Sequence, residues 1–495
     1  MVYRGPSKDC FACRRRKLKC DLRKDACGQC LRAGISCFGY RDSNDLVFRD
    51  QTRSVERKML AARASLQFGT LNHIILPNAS GLPPQPPHQP WTAFARHTFF
   101  AHYVFGLSSS FDILPSLYEK AQPDDHLSAS VDAASLAFVA NREHAASPEL
   151  LRLAAQQYTI ALRRINAALS KPEFASDSTL QSILLLDLYE KIMGRDLKAA
   201  EPWLAHLNGA LALIKARGYN DMTRSRVSIK LANKLFTTLL ITSFILSHRI
   251  PESVMELGRR LDMFHDKDDC KWRISKMNQQ MIDFQVDMAE GKLSKRQIVA
   301  EAKRLHDAYR EIEATSSQRW QPRRVMASEE DPAHQPLIYG QEYHVLRDPF
   351  HTQVRNTVRI MQLQLQSYIQ KNLEDDGSEE YIRAREDSLS RTEHFAEEVM
   401  ASVPQFIIPG VHPNSSIPFS SVQALKCRIL LPAMFTAAST SRNPDLRLWA
   451  IRTLRYMAAS GKIRSASMTA DMLEKNPGLD FASMYAKLGG YAYTT

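Results

Sequence analysis

Six cysteines lie between positions 10 and 37, and their spacing constrains this chain more than any other feature. Cys10, Cys13, Cys20, Cys27, Cys30 and Cys37 are separated by two, six, six, two and six residues. The unit Cys-x2-Cys-x6-Cys thus occurs twice, as CFACRRRKLKC and CGQCLRAGISC, joined by DLRKDA. Structural zinc takes four ligands in a tetrahedron, and thiolate is a preferred one. Two zinc ions need eight bonds, and six thiolates supply eight if two of them bridge both metals. The two-fold relation between the repeats makes equivalent cysteines the natural bridges. A Cys-x2-Cys turn at a helix start brings two sulfurs to one metal, and the six-residue gap lets each short helix turn back to deliver the third. Two Zn2+ held this way are structural, since sulfur fills every coordination position and none stays open for catalysis. The competing reading is a disulfide framework. The opening MVYRGPSKDC has no apolar signal core, so the expectation is a reducing compartment, where thiols hold metal.

Charge separates the two repeats that cysteine makes alike. The first carries Arg14, Arg15, Arg16, Lys17 and Lys19, and the second carries Arg32 alone. Leu18 and Ile35 stand at matching positions, two before the last cysteine of each repeat, and are expected to pack as a minimal apolar contact. Such a module is too small to hold together without its metals. Residues 1–40 hold ten Lys and Arg against three Asp, a net +7 of the chain's +12. Six thiolates and two zinc ions change this by about −2 in formal charge, so the module stays strongly basic. A compact, metal-stapled, basic face is the footprint of a nucleic-acid binder, whose affinity falls with salt. The run RRRKLK is also a candidate signal for a nuclear import receptor.

The cysteine pattern resembles the fungal zinc binuclear cluster transcription factors over Cys10 to Cys37 at full spacing. The resemblance implies that the first and fourth cysteines, Cys10 and Cys27, bridge the metals. It implies that the first helix enters the major groove of double-stranded DNA and that Lys17, three before the third cysteine, contacts a CGG triplet. A lysine can donate to guanine O6 and N7. Arg16 and Lys19 are then neighbours within reach of phosphates or base edges, and Arg14 and Arg15 are phosphate clamps. The family often has proline two residues before the fourth cysteine, where this chain has Asp25.

At 495 residues the chain holds more than one domain, with an ordinary globular composition of 44% hydrophobic and 24% charged residues. The remaining cysteines, Cys270 and Cys427, read as buried or incidental thiols. The longest apolar run, Leu235 to Ser247, spans 13 residues rich in Thr and Ser, against the roughly 20 that a bilayer needs. It reads as a buried core helix, and no membrane partner is expected. Behind the cluster, Val55, Met59 and Leu60 make less than two heptad turns, so a homodimer would form through regions other than a clear coiled coil. Pro77 to Pro90 is a proline-rich linker.

From Trp91 onward the pattern is helical. Leu204, Leu207, Leu211 and Ile214 keep a three-four spacing that stops at Gly218. Ile298, Ala302, Leu305, Tyr309 and Ile312 form one stripe, and Val354, Val358, Met361, Leu365 and Tyr368 another. The stretches 151–169 and 178–193 also read as helices, and convincing period-two strands are missing. The stretches 178–192, 206–218 and 430–473 are similar to the fungal-specific transcription factor domain found behind many zinc clusters. That resemblance, from about Trp91 to Leu473, implies an all-helical regulatory domain that senses a small-molecule effector or holds the regulator in check. Residues 316–336 look like a mobile insertion. NLEDDGSEEY at 372–381 packs five acidic residues into ten, a solvated loop or a surface for coregulators.

Two other constellations carry little. HDKDDC at 265–270 reads as a surface loop, and Asp187 with Glu190 as a structural pair on one helix face. Walker, dinucleotide-binding, HExxH and GxSxG patterns are missing, and nothing recommends an enzyme. The expected architecture is a small zinc-stapled two-helix module followed by a large all-α regulatory domain. Its divisions are 1–45 for the cluster, 46–90 for a partly helical then Pro-rich linker, and 91–490 for the helical domain. The expected function is a nuclear, zinc-dependent, sequence-specific regulator of RNA polymerase II genes. The rival is a helical scaffold whose zinc module binds protein.

Overall fold

The computed structural model describes residues 9–23, 26–37, 91–107, 111–141, 148–171, 173–193, 200–222, 224–266, 268–411 and 417–488. The chain divides into two compact units, 1–53 and 54–495. The heptad segment around Val55 to Leu60, the proline-rich stretch and Asp25 lie outside the described residues.

In the first unit two short helices, α1 (Phe11–Arg15) and α2 (Gly28–Arg32), each begin directly after a cysteine. The core they enclose is sulfur: Cys10, Cys13, Cys20, Cys27 and Cys30 are buried together, with Ala12 and Cys37 against them. The expected apolar contact is not what fills this core. Leu18 is 37% exposed and Ile35 41% exposed.

The second unit is dominated by helices, and we label the longer ones. They run α3 (Trp91–Thr98), α4 (His126–Ala140), α5 (Pro148–Leu169), α6 (Asp177–Met193), α7 (Ala200–Arg217) and α8 (Arg226–Leu246). Then follow α9 (Glu252–Leu261), α10 (Cys270–Ala289), α11 (Lys295–Ala314), α12 (Pro349–Asn372) and α13 (Glu379–Ala401). The C-terminal part holds α14 (Leu431–Thr440), α15 (Pro444–Gly461), α16 (Arg464–Lys475) and α17 (Phe481–Lys487). Every helix proposed from the periodicity above is present. The α7 helix ends where Gly218 takes the left-handed φ of +85°.

The hub of the N-terminal half is α4, whose residues Leu127 to Ala140 are all buried. Its sequence HLSASVDAASLAFVA is rich in Ala and Ser, so α3, α5 and α6 can approach it from several sides. Such a helix has no polar face and gives no amphipathic stripe to read. Its one carboxylate, Asp132, is held by Arg96 of α3, with Nη2 2.9 Å from Oδ2. The apolar run singled out above lies in α8. By length and composition α8 is the one helix among the described residues able to cross a membrane, yet it packs on α7, α9 and α10 with Leu235, Phe236, Leu239 and Leu240 buried. This is the core helix expected.

The all-helical expectation is corrected between α11 and α12. Strands β1 (Arg323–Met326) and β2 (Glu342–Val345) pair antiparallel, with Val325 opposite Tyr343. Four residues per strand are too few for a readable alternation. The supposed mobile insertion 316–336 is folded into the domain: Trp320 is buried, and Val325 joins Ile338, Tyr343 and Ile408 in a small apolar cluster. The acidic stretch 372–381 is organised by backbone. Ser378 caps α13, Glu379 and Glu380 fill its first turn, where the helix dipole favours carboxylates, and Asp376 accepts from the Ser378 amide at 3.0 Å.

The helices of the C-terminal half are tied by a buried ion pair. Arg359 of α12 is 1% exposed; its Nη2 lies 2.6 Å from Glu398 Oε2 on α13, and Nη1 donates to Asn356 Oδ1 at 2.8 Å. Burial pushes the Glu398 carboxyl up, but Arg359, His344 and His394 together outweigh this and hold it below the usual range. Removing one partner strands the other charge. Glu398→Ala is therefore expected to cost about 3 kcal/mol or more. The double variant Arg359→Met, Glu398→Leu should recover most of that loss, as read by thermal melting of the three proteins.

Candidate metal centre and nucleic-acid face

The two Cys-x2-Cys turns use one local design. Cys10 and Cys27 precede their helices, and each sulfur accepts from the amide three residues on: Cys13 N to Cys10 Sγ at 3.4 Å, and Cys30 N to Cys27 Sγ at 3.3 Å. A cysteine here acts as an N-cap, and the amides that satisfy it also favour its thiolate. Both helices end alike. Leu18 N bonds back to Cys13 O at 3.0 Å and Ile35 N to Cys30 O at 3.1 Å, the six-to-one closure of a helix that stops in the left-handed region.

Across the repeats the sulfurs converge. Cys10 Sγ lies 3.6 Å from Cys27 Sγ and 3.7 Å from Cys30 Sγ, and Cys13 Sγ lies 3.5 Å from Cys27 Sγ. Two groups of four form, Cys10, Cys13, Cys20, Cys27 and Cys10, Cys27, Cys30, Cys37, and within each the sulfurs lie within 4.8 Å of one another. With Zn–S bonds of about 2.3 Å, the edge of a tetrahedron is about 3.8 Å. The separations therefore fit two tetrahedra sharing the edge from Cys10 to Cys27. All six thiols are free.

The protonation of the set points the same way. Burial pushes the Cys10, Cys13 and Cys30 thiols up, Cys30 to about 12. Burial acts on Cys27 too, but the Cys30 amide and the surrounding thiols overcome it and bring Cys27 down to about 6. Sulfurs this close cannot all be thiolates unless a cation sits among them, and a dication ionises coordinating thiols. This donor set fits zinc.

Spacing alone did not reveal what braces the module. Asp21 accepts from the Gly28 amide through both oxygens, at 2.9 and 3.1 Å, and pairs with Arg23 Nε at 3.1 Å. The carboxylate thus sits on the first amide of α2. A Cβ at position 28 would lie 2.6 Å from Asp21 Oδ2, so any side chain there displaces the carboxylate. An acidic residue just after a metal-site cysteine was the available signal.

The basic residues divide by position. Arg15 closes α1, while Arg16, Lys17 and Lys19 follow it, and all four side chains are exposed. None of the four makes an ion pair among the described residues. The Arg14 side chain lies outside the described residues. Lys17 was expected within the first helix; it stands two residues past its last residue, at the helix stop, with φ +54°. The second repeat has Gly34 at the matching place, with φ +63°. A left-handed L-residue costs roughly 1–2 kcal/mol, which glycine avoids. The first repeat thus carries a lysine in a conformation its twin gives to glycine.

Elsewhere the set-aside residues have local roles. His265 stacks on Trp272 at 3.9 Å, Asp269 caps α10, and Asp187 pairs with Lys191 at 2.7 Å. Cys270 and Cys427 are buried, their thiols pushed up by burial to about 11 and about 12.

A prediction follows from the brace. Gly28→Ala should displace Asp21 and speed zinc release to a chelator. Asp21→Ala should cost about 1 kcal/mol of cap stabilisation and act in the same direction. A colorimetric zinc-release assay on the full chain reads both, and release as slow as in the unaltered protein would refute the bracing role.

Comparison with known proteins agrees with this geometry. Residues 8–46 match the fungal Zn(2)-Cys(6) binuclear cluster domain, and residues 98–285 match the fungal specific transcription factor domain. The second match ends at 285, so the stretch 430–473 lies beyond it. White-opaque regulator 2 of Candida albicans (strain SC5314 / ATCC MYA-2876) is 40% identical over 53 residues, which is 11% of this chain and 12% of that protein. No solved structure matches. The chain therefore joins a zinc-binding fungal Zn(2)-Cys(6) cluster domain to a fungal specific transcription factor domain, the combination of the fungal zinc-cluster transcription factors.

Proposed function

We propose that this chain is a nuclear, sequence-specific regulator of RNA polymerase II genes whose cluster reads CGG-type half-sites in the major groove. The supporting observation is the pair of cysteine tetrads that share Cys10 and Cys27. Two Zn2+ occupy them, bound by Cys10, Cys13, Cys20, Cys27, Cys30 and Cys37 with the shared pair bridging. The two zinc ions tie α1 to α2 and fix the turn that carries Lys17. Lys17 reads the guanine edge, Arg16 and Lys19 reach phosphates or bases beside it, and Arg14 and Arg15 clamp the backbone. The cluster occupies 1–45, a linker 46–90 and the regulatory domain 91–490. An import receptor reads the same basic run, while a second copy and coregulators are partners of the rest of the chain.

The left-handed Lys17 separates readout from folding. Lys17→Gly relieves the backbone cost, so it should keep or improve zinc retention. It should nevertheless lose the CGG preference, about 1–3 kcal/mol of discrimination against a mutated triplet, as Lys17→Ala should. Binding to random DNA should change far less, and affinity for both DNAs should fall steeply with salt. Fluorescence-anisotropy titrations at fixed salt decide this: equal losses on specific and random DNA refute base readout. Metal analysis should find two zinc ions per chain, and Cys27→Ser should disturb both. One zinc retained with unaltered affinity would refute bridging.

A further inference from the structure

A pocket of about 160 Å³ opens in the second unit between α8, residue Asp112 and the start of α10. Its walls carry three lysines: Lys230, Lys234 and Lys271. Lys230 is neutralised by an ion pair with Asp112. Asp269, also on the wall, is committed to capping α10 through the Trp272 amide at 3.1 Å. Lys234 and Lys271 remain, and neither has a carboxylate within ion-pair distance among the described residues.

Each of these two ammonium groups lies over an aromatic face. Lys234 Nζ is 5.0 Å from the centre of the Phe111 ring, and Lys271 Nζ is 4.6 Å from that of Phe350. A ring face attracts a cation but does not cancel its charge. The nearest acid behind Lys234 is Asp187 of α6, which is already bonded to Lys191 at 2.7 Å. Burial, with Lys191 next and Lys271 adding to it, outweighs the pull of Asp187 and brings the Lys234 ammonium down to about 7. Burial likewise pulls Lys271 down, against the pull of Asp269. Two half-buried cations with no direct ion-pair partner at one cavity are costly to folding.

The rest of the wall is internally satisfied. The Thr237 and Ser275 hydroxyls donate to carbonyls of their own helices, at 2.9 and 3.0 Å. His265 meets Asn233 Oδ1 at 2.8 Å and stacks flat on Trp272. The wall holds an excess of positive charge, three lysines against Asp112 and Asp269, and beside the lysines it offers the His265–Trp272 stack.

We infer that this pocket binds a small organic anion, its carboxylate or phosphate group between Lys234 and Lys271 and its body beside the His265–Trp272 stack. The site is independent of how the cluster reads DNA. It gives the regulatory domain a stated class of effector.

Thermal melting of the zinc-loaded full chain tests this without DNA. The probes are benzoate, phenyl phosphate and inorganic phosphate, with neutral benzamide as the control. The expected result is a saturable rise in Tm with at least one anion and none with benzamide. Benzoate against phenyl phosphate tells which acid group is preferred, and inorganic phosphate shows whether the aromatic body is needed. The rise should vanish in Lys234→Met and in Lys271→Met. Each variant alone should melt at or above the unaltered protein, because it removes a half-buried charge that has no ion-pair partner. The inference is overturned if no anion raises Tm, if the rise survives in both variants, or if both variants are destabilised as structural lysines would be.

Discussion

The first unit depends on sulfur convergence. Among its described residues no apolar side chain is buried in the way that holds an ordinary domain together; Leu18, Leu22, Leu31 and Ile35 are all exposed. What is buried is cysteine, and buried thiols at 3.5 to 3.7 Å repel as anions or stay protonated as neutrals. Metal resolves that conflict, and the same bonds join the two repeats. Removing the cation takes away the core and the link together.

Local backbone design then decides what the sulfur core displays. Both repeats start helices with a sulfur cap and stop them with a left-handed residue, so the scaffold is nearly symmetric. Charge breaks the symmetry. One stop carries a lysine flanked by Arg16 and Lys19, the other a bare glycine. Asp21 and Gly28 brace the start of the second repeat.

Much of this was legible in the residues. The cysteine spacing foretold the grouping of sulfurs, because metal coordination imposes distances that few spacings satisfy. The amphipathic helices α5, α11 and α12 declared themselves through stripes such as Ala302, Leu305, Tyr309 and Ile312. The illegible parts have physical reasons. The α4 helix is buried all round and shows no stripe. The β1–β2 hairpin is too short to alternate. The place of Lys17 depends on a backbone angle that residue type argues against. The lysine pocket joins positions as distant as Asp112 and Lys271, which only folding brings together.

The likeness to the transcription factor domain stops at residue 285, and that position falls inside α10, which runs from Cys270 to Ala289. On one side α10 packs against α8, within the matched region, and on the other against α11, beyond it. Similarity and structural integrity thus have different edges here. A fragment cut where resemblance ends would sever a helix four residues early and bare the flank that α11 covers. Residues past 285 are part of the same folding unit as those before it.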